Sequence, residues 1–231
     1  MRLNKYLSKS GIASRRKSDE LIRMATTEIN GKLCLDPSYH VKEHDIVKYG
    51  GSKISVINET IVIMLNKPKN YISTVIDTHR RKTVMDLIPG NLNVKPVGRL
   101  DKNTTGLLLL TNDGEMHQYL THPKNKVPKD YEVEIEGYLN PAHFKKIEKG
   151  IYIGNKEYGK AKIIKQVTLK GRAKVTMRLT QGKKREIRRI FHRIKIKIIN
   201  LKRVRFCNLS LGNLEIGRYI FLNKKQKKFL M

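Results

Sequence analysis

The sequence has 231 residues, enough for one large domain, or for a small and a medium one, to bury hydrophobic cores. Its 49 lysines and arginines against 20 aspartates and glutamates give a formal net charge of +29 and a pI near 10.2, which predicts a polyanionic partner and favours nucleic acid. No apolar run reaches the roughly 18 residues of a membrane span, and no signal-peptide pattern follows Met1, so we expect a cytoplasmic protein.

The cysteines and histidines show neither disulfide nor metal patterns. Cys34 and Cys207 lie far apart and in no CxxC pair, which is typical of free thiols in a reduced compartment. His117 and His122 are five residues apart, so they miss the i,i+4 spacing of metal-binding helices. We therefore expect no metal ion.

Residues 1–50 predict a small unit of two helices followed by short strands. An apolar helical face at residues 3–7, a stop at Gly11 and the N-cap candidate Ser14 delimit the helices. Asn30-Gly31 between two short apolar stretches predicts a type I′ hairpin turn. A further hairpin arm ends in glycines near residue 50.

Basic residues cluster on the two predicted helices. Positive side chains on one small surface suit the phosphates of a nucleic acid backbone, although a solvated helical face gives the same pattern. The cluster contains Arg2, Lys5, Lys9, Arg15, Arg16 and Lys17, of which we expect Lys5, Arg15, Arg16 and Lys17 to bind the nucleic acid.

Gly50 and Gly51 predict a linker over residues 51–59, followed by a larger domain over residues 60–231. This domain should open with a strand that a Lys67-Pro68 break ends, and further on "KDYEVEIEG" alternates like a strand while "NPAHFKKIEKGI" has helical spacing. A strand, a glycine turn, a basic helix and another strand should follow. The irregular mixture of strands and helices predicts an α+β fold.

Positive charge is concentrated near the C-terminus. Residues 181–231 contain 16 lysines and arginines against two acids, a net +14 of the total +29. A general lysine-rich bias of the whole composition would spread the charge evenly, so its concentration favours a binding surface. The last basic stretch, "NKKQKK", reads as a flexible tail.

The stretch "VGRLDKNTTGLLLLTNDGE" places the carboxylate of Asp101 between Arg99 and a Thr-Thr-Gly turn. From the pattern alone, Asp101 is either a capping residue of a loop that leads into the buried strand "LLLLT", or a nucleophile held on that loop. A second turn should follow at residues 112–114. The residues alone leave both interpretations open.

These blocks resemble a known family. "GRLDKNTTGLLLLTNDGE", preceded by "LNKPKNYISTVID" and followed by "KDYEV" and "GKKREIRRIF", resembles the RsuA/RluB-type ribosomal RNA pseudouridine synthases. The N-terminal "RLNKYLSKSGIASRRKSDELI" is similar to a small RNA-binding domain found in a ribosomal protein and several RNA-modifying enzymes. The resemblance implies an αα-plus-β RNA-binding domain joined to a catalytic domain with a mixed, mainly antiparallel sheet flanked by helices.

The resemblance also implies roles for individual residues. Asp101 corresponds to the acid that attacks the target uridine, Tyr131 to the tyrosine against the uracil, and Arg188 to the basic partner of the aspartate. Arg99 corresponds to an arginine in contact with RNA. We expect further substrate or RNA contacts from Lys67, Lys184, Arg185 and Arg189.

The implied reaction is an isomerisation, so no cofactor is expected. The expected partner is ribosomal RNA, with the "REIRR" block favouring the large subunit over the small subunit, and a monomer suffices. A non-catalytic RNA-binding or ribosome-assembly protein is the alternative, and a DNA-binding regulator is a weaker one. Neither alternative accounts for Asp101, Tyr131 and Arg188 in their blocks.

Three departures from the family pattern concern backbone geometry. Residues 24–27 replace a glycine-containing turn, which puts that turn in doubt. Asn70 replaces a glycine, and asparagine tolerates left-handed angles, so this turn should survive. Lys195 replaces the glycine that ends the basic helix and should weaken that helix end.

Overall fold

The structure, a computed structural model, describes residues 1–57, 59–90 and 92–230 and divides into two compact units, Met1–Thr60 and Ile61–Met231. The N-terminal unit has two helices and an antiparallel sheet in the order β2-β1-β3-β4. Its elements are α1 (Leu3–Lys9), α2 (Arg15–Arg23), β1 (Thr27–Ile29), β2 (Lys32–Leu33), β3 (Val47–Tyr49) and β4 (Ser52–Lys53).

The predicted signals of this unit act as expected. Ser14 caps α2 by accepting a hydrogen bond from the Lys17 N–H. Asn30 and Gly31 both have positive φ, as a type I′ turn requires. The predicted linker is corrected at its start, because Gly50 and Gly51 form the turn between β3 and β4 and the sheet extends to Lys53.

The turn after α2, which the sequence left in doubt, is closed without glycine. Ala25 has φ +56, a left-handed conformation that costs an alanine roughly 1–2 kcal/mol. The Thr26 hydroxyl donates to the Leu21 carbonyl oxygen at 2.7 Å and ties the turn to the helix. The turn after α2 therefore forms without glycine, but with backbone strain at Ala25.

The C-terminal unit has a nine-stranded sheet whose main path runs β11-β12-β8-β13-β7-β5-β15, with β6 paired to β7 and β14 to β13. Only β13 and β7 are parallel among its described strand pairs. The strands are β5 (Val62–Lys67), β6 (Lys95–Pro96), β7 (Thr105–Thr111), β8 (Lys129–Glu136), β11 (Lys162–Leu169), β12 (Arg172–Leu179), β13 (Ile198–Phe206), β14 (Leu209–Ser210) and β15 (Tyr219–Phe221).

A separate antiparallel hairpin and four helices complete this unit. The hairpin consists of β9 (Ile151–Gly154) and β10 (Glu157–Gly159), and the helices are α3 (Gly114–Thr121), α4 (Pro141–Lys149), α5 (Glu186–Arg193) and α6 (Lys224–Lys227). Short 3-10 turns cover Val84–Leu87, Pro123–Asn125 and Lys228–Leu230. The α+β fold with a mixed, mainly antiparallel sheet is confirmed. No helix in the described part of the chain is long and apolar enough to cross a membrane.

The four-leucine run is buried on both faces of the sheet. Leu107 and Leu109 pack in one hydrophobic core, and Leu108 and Leu110 pack in the core on the opposite side. A strand that is buried on both faces has a continuously apolar sequence, because its alternate side chains enter different cores. β7 is therefore a rigid base for the loop that precedes it.

Gly106 belongs to β7 rather than to the predicted Thr-Thr-Gly turn. It has φ +102, and a Cβ atom at this position would lie 2.2 Å from the carbonyl oxygen of Arg203. The close parallel contact between β7 and β13 therefore requires glycine. The requirement comes from a strand nearly a hundred residues away, which local sequence does not reveal.

Two further predictions are corrected. The turn predicted at residues 112–114 starts helix α3, because Asp113 caps it by accepting from the N–H groups of Glu115 and Met116. The tail predicted to be flexible forms α6, where Asn223 and Gln226 cap each other reciprocally. In both segments a side-chain cap stabilises a short helix, which the basic or polar composition did not predict.

Candidate active site

Asp101 lies on a loop between β6 and β7, with 34% of its side chain exposed. The loop is anchored at its start, where the Val97 N–H donates to the Leu109 carbonyl oxygen at 2.7 Å. The Ser73 hydroxyl exchanges hydrogen bonds with the backbone N–H and carbonyl of Leu100, both at 3.1 Å. The carboxylate is thus accessible, while the backbone that carries it is fixed.

Lys67, at the end of β5, holds the loop from inside the protein. Its ammonium lies within 2.9–3.3 Å of the carbonyl oxygens of Pro68, Asp101, Lys102 and Thr104. The side chain is fully buried, and burial lowers its pKa from 10.5 to about 8, opposed by the Asp101 charge. The predicted RNA contact of Lys67 is therefore wrong, because this buried group binds backbone carbonyls.

Asn70 supports the same loop. It has φ +69, so the turn survives without glycine, and its N–H donates to the Lys102 carbonyl oxygen at 2.9 Å. Lys195 likewise takes a left-handed conformation, with φ +58, at the end of α5. Each replacement keeps the backbone path of the turn.

Two arginines of the α5 region face the Asp101 carboxylate. Arg188 Nε lies 3.6 Å from Asp101 Oδ2, and Arg185 Nη1 lies 3.8 Å from the same oxygen. Arg188 also donates from Nη2 to the Asn103 carbonyl oxygen and to Thr104 Oγ1. Arg188 is therefore both a charge partner of Asp101 and a clamp on its loop.

The surroundings of the two arginines differ. Burial lowers the pKa of Arg188 from its ordinary value, while Asp101 opposes this shift. Arg185 is more exposed, and its φ of +53 at the N-cap of α5 is a strained conformation for this residue type. Strain of this kind persists where surrounding contacts determine the conformation, as at functional sites.

A cavity of about 600 Å³ opens beside Asp101. Tyr131 of β8 lines it, held in the sheet directly between Met177 of β12 and Arg203 of β13. This volume is in the range of small-molecule sites and accommodates a nucleoside. Arg99, Asp101, Arg185, Ile187 and Arg188 also line it.

Comparison with known proteins identifies the two units. A family model described as RNA pseudouridylate synthase matches residues 61–193, and an S4 domain model matches residues 1–47. The chain belongs to the RNA pseudouridine synthase family. The match covers more than half of the chain and includes every residue of the Asp101 loop, Tyr131 and the α5 arginines.

Full-length relatives agree with this assignment. The chain is 35% identical to ribosomal large subunit pseudouridine synthase B of Bacillus subtilis, over 94% of this chain and 89% of that protein. It is 32% identical to the dual-specificity RNA pseudouridine synthase RluF of Escherichia coli, over 95% of this chain and 74% of that protein. A crystal structure of a pseudouridylate synthase superposes over 100% of both chains, with a TM-score of 0.69 and 25% identity.

The predicted site residues of this pseudouridine synthase fall into three groups. Asp101, Tyr131, Arg188, Arg99 and Arg185 come together at one cavity. Lys184 is exposed in the turn before α5, and in the S4 unit Arg15, Arg16 and Lys17 are exposed while Lys5 is half-buried. Lys17 pairs with Glu20 at 2.7 Å.

The third group contains Lys67, described above, and Arg189, which is a second correction. Its guanidinium donates to the carbonyl oxygens of Ile153 and Gly154 and to the Glu157 carboxylate, the last at 2.6 Å. Its donors are therefore used to attach the β9–β10 hairpin to α5. The adjacent arginines in "EIRR" differ because one faces Asp101 and the other faces the hairpin.

Lys129 and Arg203 are among the cations of the cavity wall that sequence reasoning missed. Arg203 is buried and donates from Nε to the Leu107 carbonyl oxygen at 2.7 Å. Burial, with the Arg203 charge adding to it, lowers the pKa of Lys129 to about 8. Both cations lie near the Phe206 ring, and both belong to segments that the sequence predicted as strands.

Proposed function

We propose that this pseudouridine synthase isomerises a specific uridine of ribosomal RNA, in the large subunit, with Asp101 as nucleophile. One observation carries the proposal: a fixed, accessible carboxylate lies between two arginines at the mouth of a cavity lined by Tyr131. A purely RNA-binding protein has no use for a carboxylate that repels phosphates at the centre of a basic surface.

The chemistry requires that the bond between ribose C1′ and uracil N1 breaks, and that a bond between C1′ and C5 forms. The C5 proton leaves and N1 gains a proton, so the overall composition is unchanged and no redox partner is required. Asp101 in its ionised form attacks the sugar C1′ or the uracil ring, or assists elimination to a glycal. Arg188 and Arg185 pair with the Asp101 carboxylate, and Tyr131 lies against the base and assists removal of the C5 proton.

A uridine inside a duplex cannot reach the cavity. The target must therefore be unpaired or flipped out of its stack, at a cost of a few kcal/mol. Aromatic side chains stack with such bases, which is the function we assign to the Tyr131 ring. Arg99 lines the cavity beside Asp101, and we assign to it a contact with the RNA that flanks the flipped base.

The large-subunit assignment rests on similarity to the Bacillus subtilis protein, whose name specifies that subunit. The small subunit is the alternative substrate within the same reaction. Because ribosomal RNA is the proposed substrate, we place the reaction in the cytoplasm. A single chain supplies the proposed acid, tyrosine and arginine, so we propose a monomer.

Primer extension after carbodiimide treatment of both ribosomal RNAs tests the proposal in strains with and without the gene. We expect one large-subunit stop that disappears on deletion and returns with the wild-type gene but not with Asp101→Asn. Asp113→Asn is the matched control, because asparagine caps a helix as well as aspartate.

Each outcome has a distinct meaning. Restoration of the stop by Asp101→Asn would refute the nucleophile and favour a non-catalytic role in ribosome assembly. A gene-dependent stop in the small subunit would refute only the choice of subunit. Absence of any gene-dependent stop would refute ribosomal RNA as the substrate.

A further inference from the structure

Two tyrosines of the β9–β10 hairpin are exposed on the surface of the catalytic unit. Tyr152 is 46% exposed and Tyr158 is 61% exposed, and their rings meet edge to face with centroids 5.6 Å apart. The Arg193 guanidinium lies 5.5 Å from the Tyr152 ring centroid. Aromatic rings left in water beside an arginine are typical of surfaces on which nucleic acid bases stack.

A basic groove adjoins this aromatic pair. The groove has a volume of about 460 Å³ and is lined by His143, Lys146, Ile151, Tyr152, Arg193, Ile194 and Lys195. Among the described residues, no carboxylate forms an ion pair with Arg193, Lys146 or Lys195. The charge of the groove is therefore available to phosphates.

The nearby carboxylates are already engaged. Glu157 of the hairpin forms its 2.6 Å ion pair with Arg189. Glu148 of α4 accepts a hydrogen bond from the Ile163 N–H at 3.1 Å. Neither acid forms an ion pair with Arg193, Lys146 or Lys195, so aromatic and positive groups form one surface that is complementary to a single-stranded polyanion.

The hairpin is fixed relative to the Asp101 cavity. Arg189 joins α5 to Ile153 and Gly154, and the same helix carries Arg188 at the cavity. Lys183, which lines the cavity, donates to the carbonyl oxygen of Tyr158. Arg185 and Arg193 are separated by about 12 Å along a helix that rises about 1.5 Å per residue, which is the length of a few nucleotides.

We propose that an unpaired base of the substrate RNA, a few nucleotides from the target uridine, stacks on the Tyr152–Tyr158 pair while Arg193, Lys146 and Lys195 bind its neighbouring phosphates. The proposal rests on the proposed function, because it takes the substrate to be RNA. According to this proposal, the hairpin favours RNA that is unpaired around the target, and the cavity separately requires that the target uridine itself is unpaired or flipped out.

A fluorescent reporter at the hairpin tests this directly, because the chain contains no tryptophan. Tyr158→Trp places a single indole on the surface, and Tyr138→Trp is the matched control, since Tyr138 is 62% exposed and lines neither the cavity nor the groove. Each variant is titrated at fixed salt with a short adenosine oligomer, and with an abasic ribose-phosphate oligomer of the same length and charge.

We expect the adenosine oligomer to quench the indole fluorescence of the Tyr158→Trp variant saturably, and the abasic oligomer to leave it unchanged. Adding Tyr152→Ala should raise the half-quenching concentration about fivefold or more, as expected for the loss of one stacking partner. Any of three results would overturn the proposal: quenching by the abasic oligomer, equal quenching in the Tyr138→Trp control, or a half-quenching concentration that Tyr152→Ala does not change.

The catalytic consequence is measured separately. Tyr152→Ala combined with Tyr158→Ala should raise KM for ribosomal RNA about fivefold or more and leave kcat unchanged. An unchanged KM would overturn the role in substrate binding. The fluorescence titration does not depend on catalysis, so the hairpin proposal and the Asp101 proposal fail through different measurements.

Discussion

Arg188 of the catalytic unit and Arg16 of the S4 unit both lie on helices, but their surroundings differ. Arg188 is largely buried, and its guanidinium contacts Asp101, Asn103 and Thr104. Arg16 is exposed on α2. A cation that pairs with one particular carboxylate must have a fixed position, whereas a cation that binds backbone phosphates needs only to lie on the correct surface. Substitutions in the two units should therefore affect different measurements.

The largest effect is expected from Arg188→Gln. It removes the closer positive charge from Asp101 and weakens the clamp on its loop, so kcat should fall about a hundredfold or more. Initial rates of isomerisation on ribosomal RNA measure this, with the exposed neighbour Lys184→Gln as control. A fall of less than about tenfold, or an equal fall in the control, would contradict the distinction between positioned and exposed cations.

The next largest effect is expected from Lys67→Met, which should change how the free energy of unfolding depends on pH. The pKa of Lys67 is about 8 in the folded protein against 10.5 ordinarily, so between these pH values the unfolded chain binds more protons and stability rises with pH. Relative to Lys67→Met, the wild-type unfolding free energy should rise by at most about 3 kcal/mol across this window. Urea unfolding at several pH values measures the difference, and Lys165→Met on exposed β11 should show none of it. Parallel pH curves for wild type and Lys67→Met would refute the buried charge.

Substitution in the S4 unit should change binding without changing chemistry. Arg15→Gln combined with Arg16→Gln should weaken RNA affinity about tenfold and reduce the salt dependence of log K by about 1 to 2. Filter binding at several salt concentrations measures both quantities, and Lys32→Gln on β2 is the control. A lower kcat with unchanged affinity would contradict the assignment of this face to phosphate binding.

The smallest effect is expected from Ala25→Gly. Glycine relieves the left-handed strain, so the S4 unit should gain about 1 kcal/mol with no change in RNA affinity or kcat. Thermal unfolding measures the gain. Ala13→Gly, at a residue outside the positive-φ set, should instead lose stability. A loss of stability in Ala25→Gly would show that the strain is compensated elsewhere.

Local signals in the sequence predicted much of the architecture. The Ser14 cap, the Asn30-Gly31 turn and the buried leucine strand follow from neighbouring residues, and the structure contains all three. Helix α3 was missed because Asn112-Asp113-Gly114 is equally typical of a turn and of a helix start. The tail near Asn223 was missed because its basic composition outweighed a capping pair.

The candidate site was predicted less completely. Asp101, Tyr131 and Arg188 were found because they lie in separate blocks that resemble one family, and the structure brings them to one cavity. Lys67 and Arg189 were assigned to RNA because a sequence does not reveal burial or hydrogen-bond partners. Each instead holds backbone carbonyls from a different element.

By itself, the sequence determined the periodicity of the strands, the caps and turns, the excess of positive charge and the blocks that identify the family. These features depend on residues close in the chain. The tertiary structure alone decided which cations are buried and which line the Asp101 cavity, why position 106 must be glycine, and how two tyrosines become exposed beside a basic groove. Such properties arise from contacts between segments far apart in sequence, where burial and partner geometry, rather than residue type, set the role of a side chain.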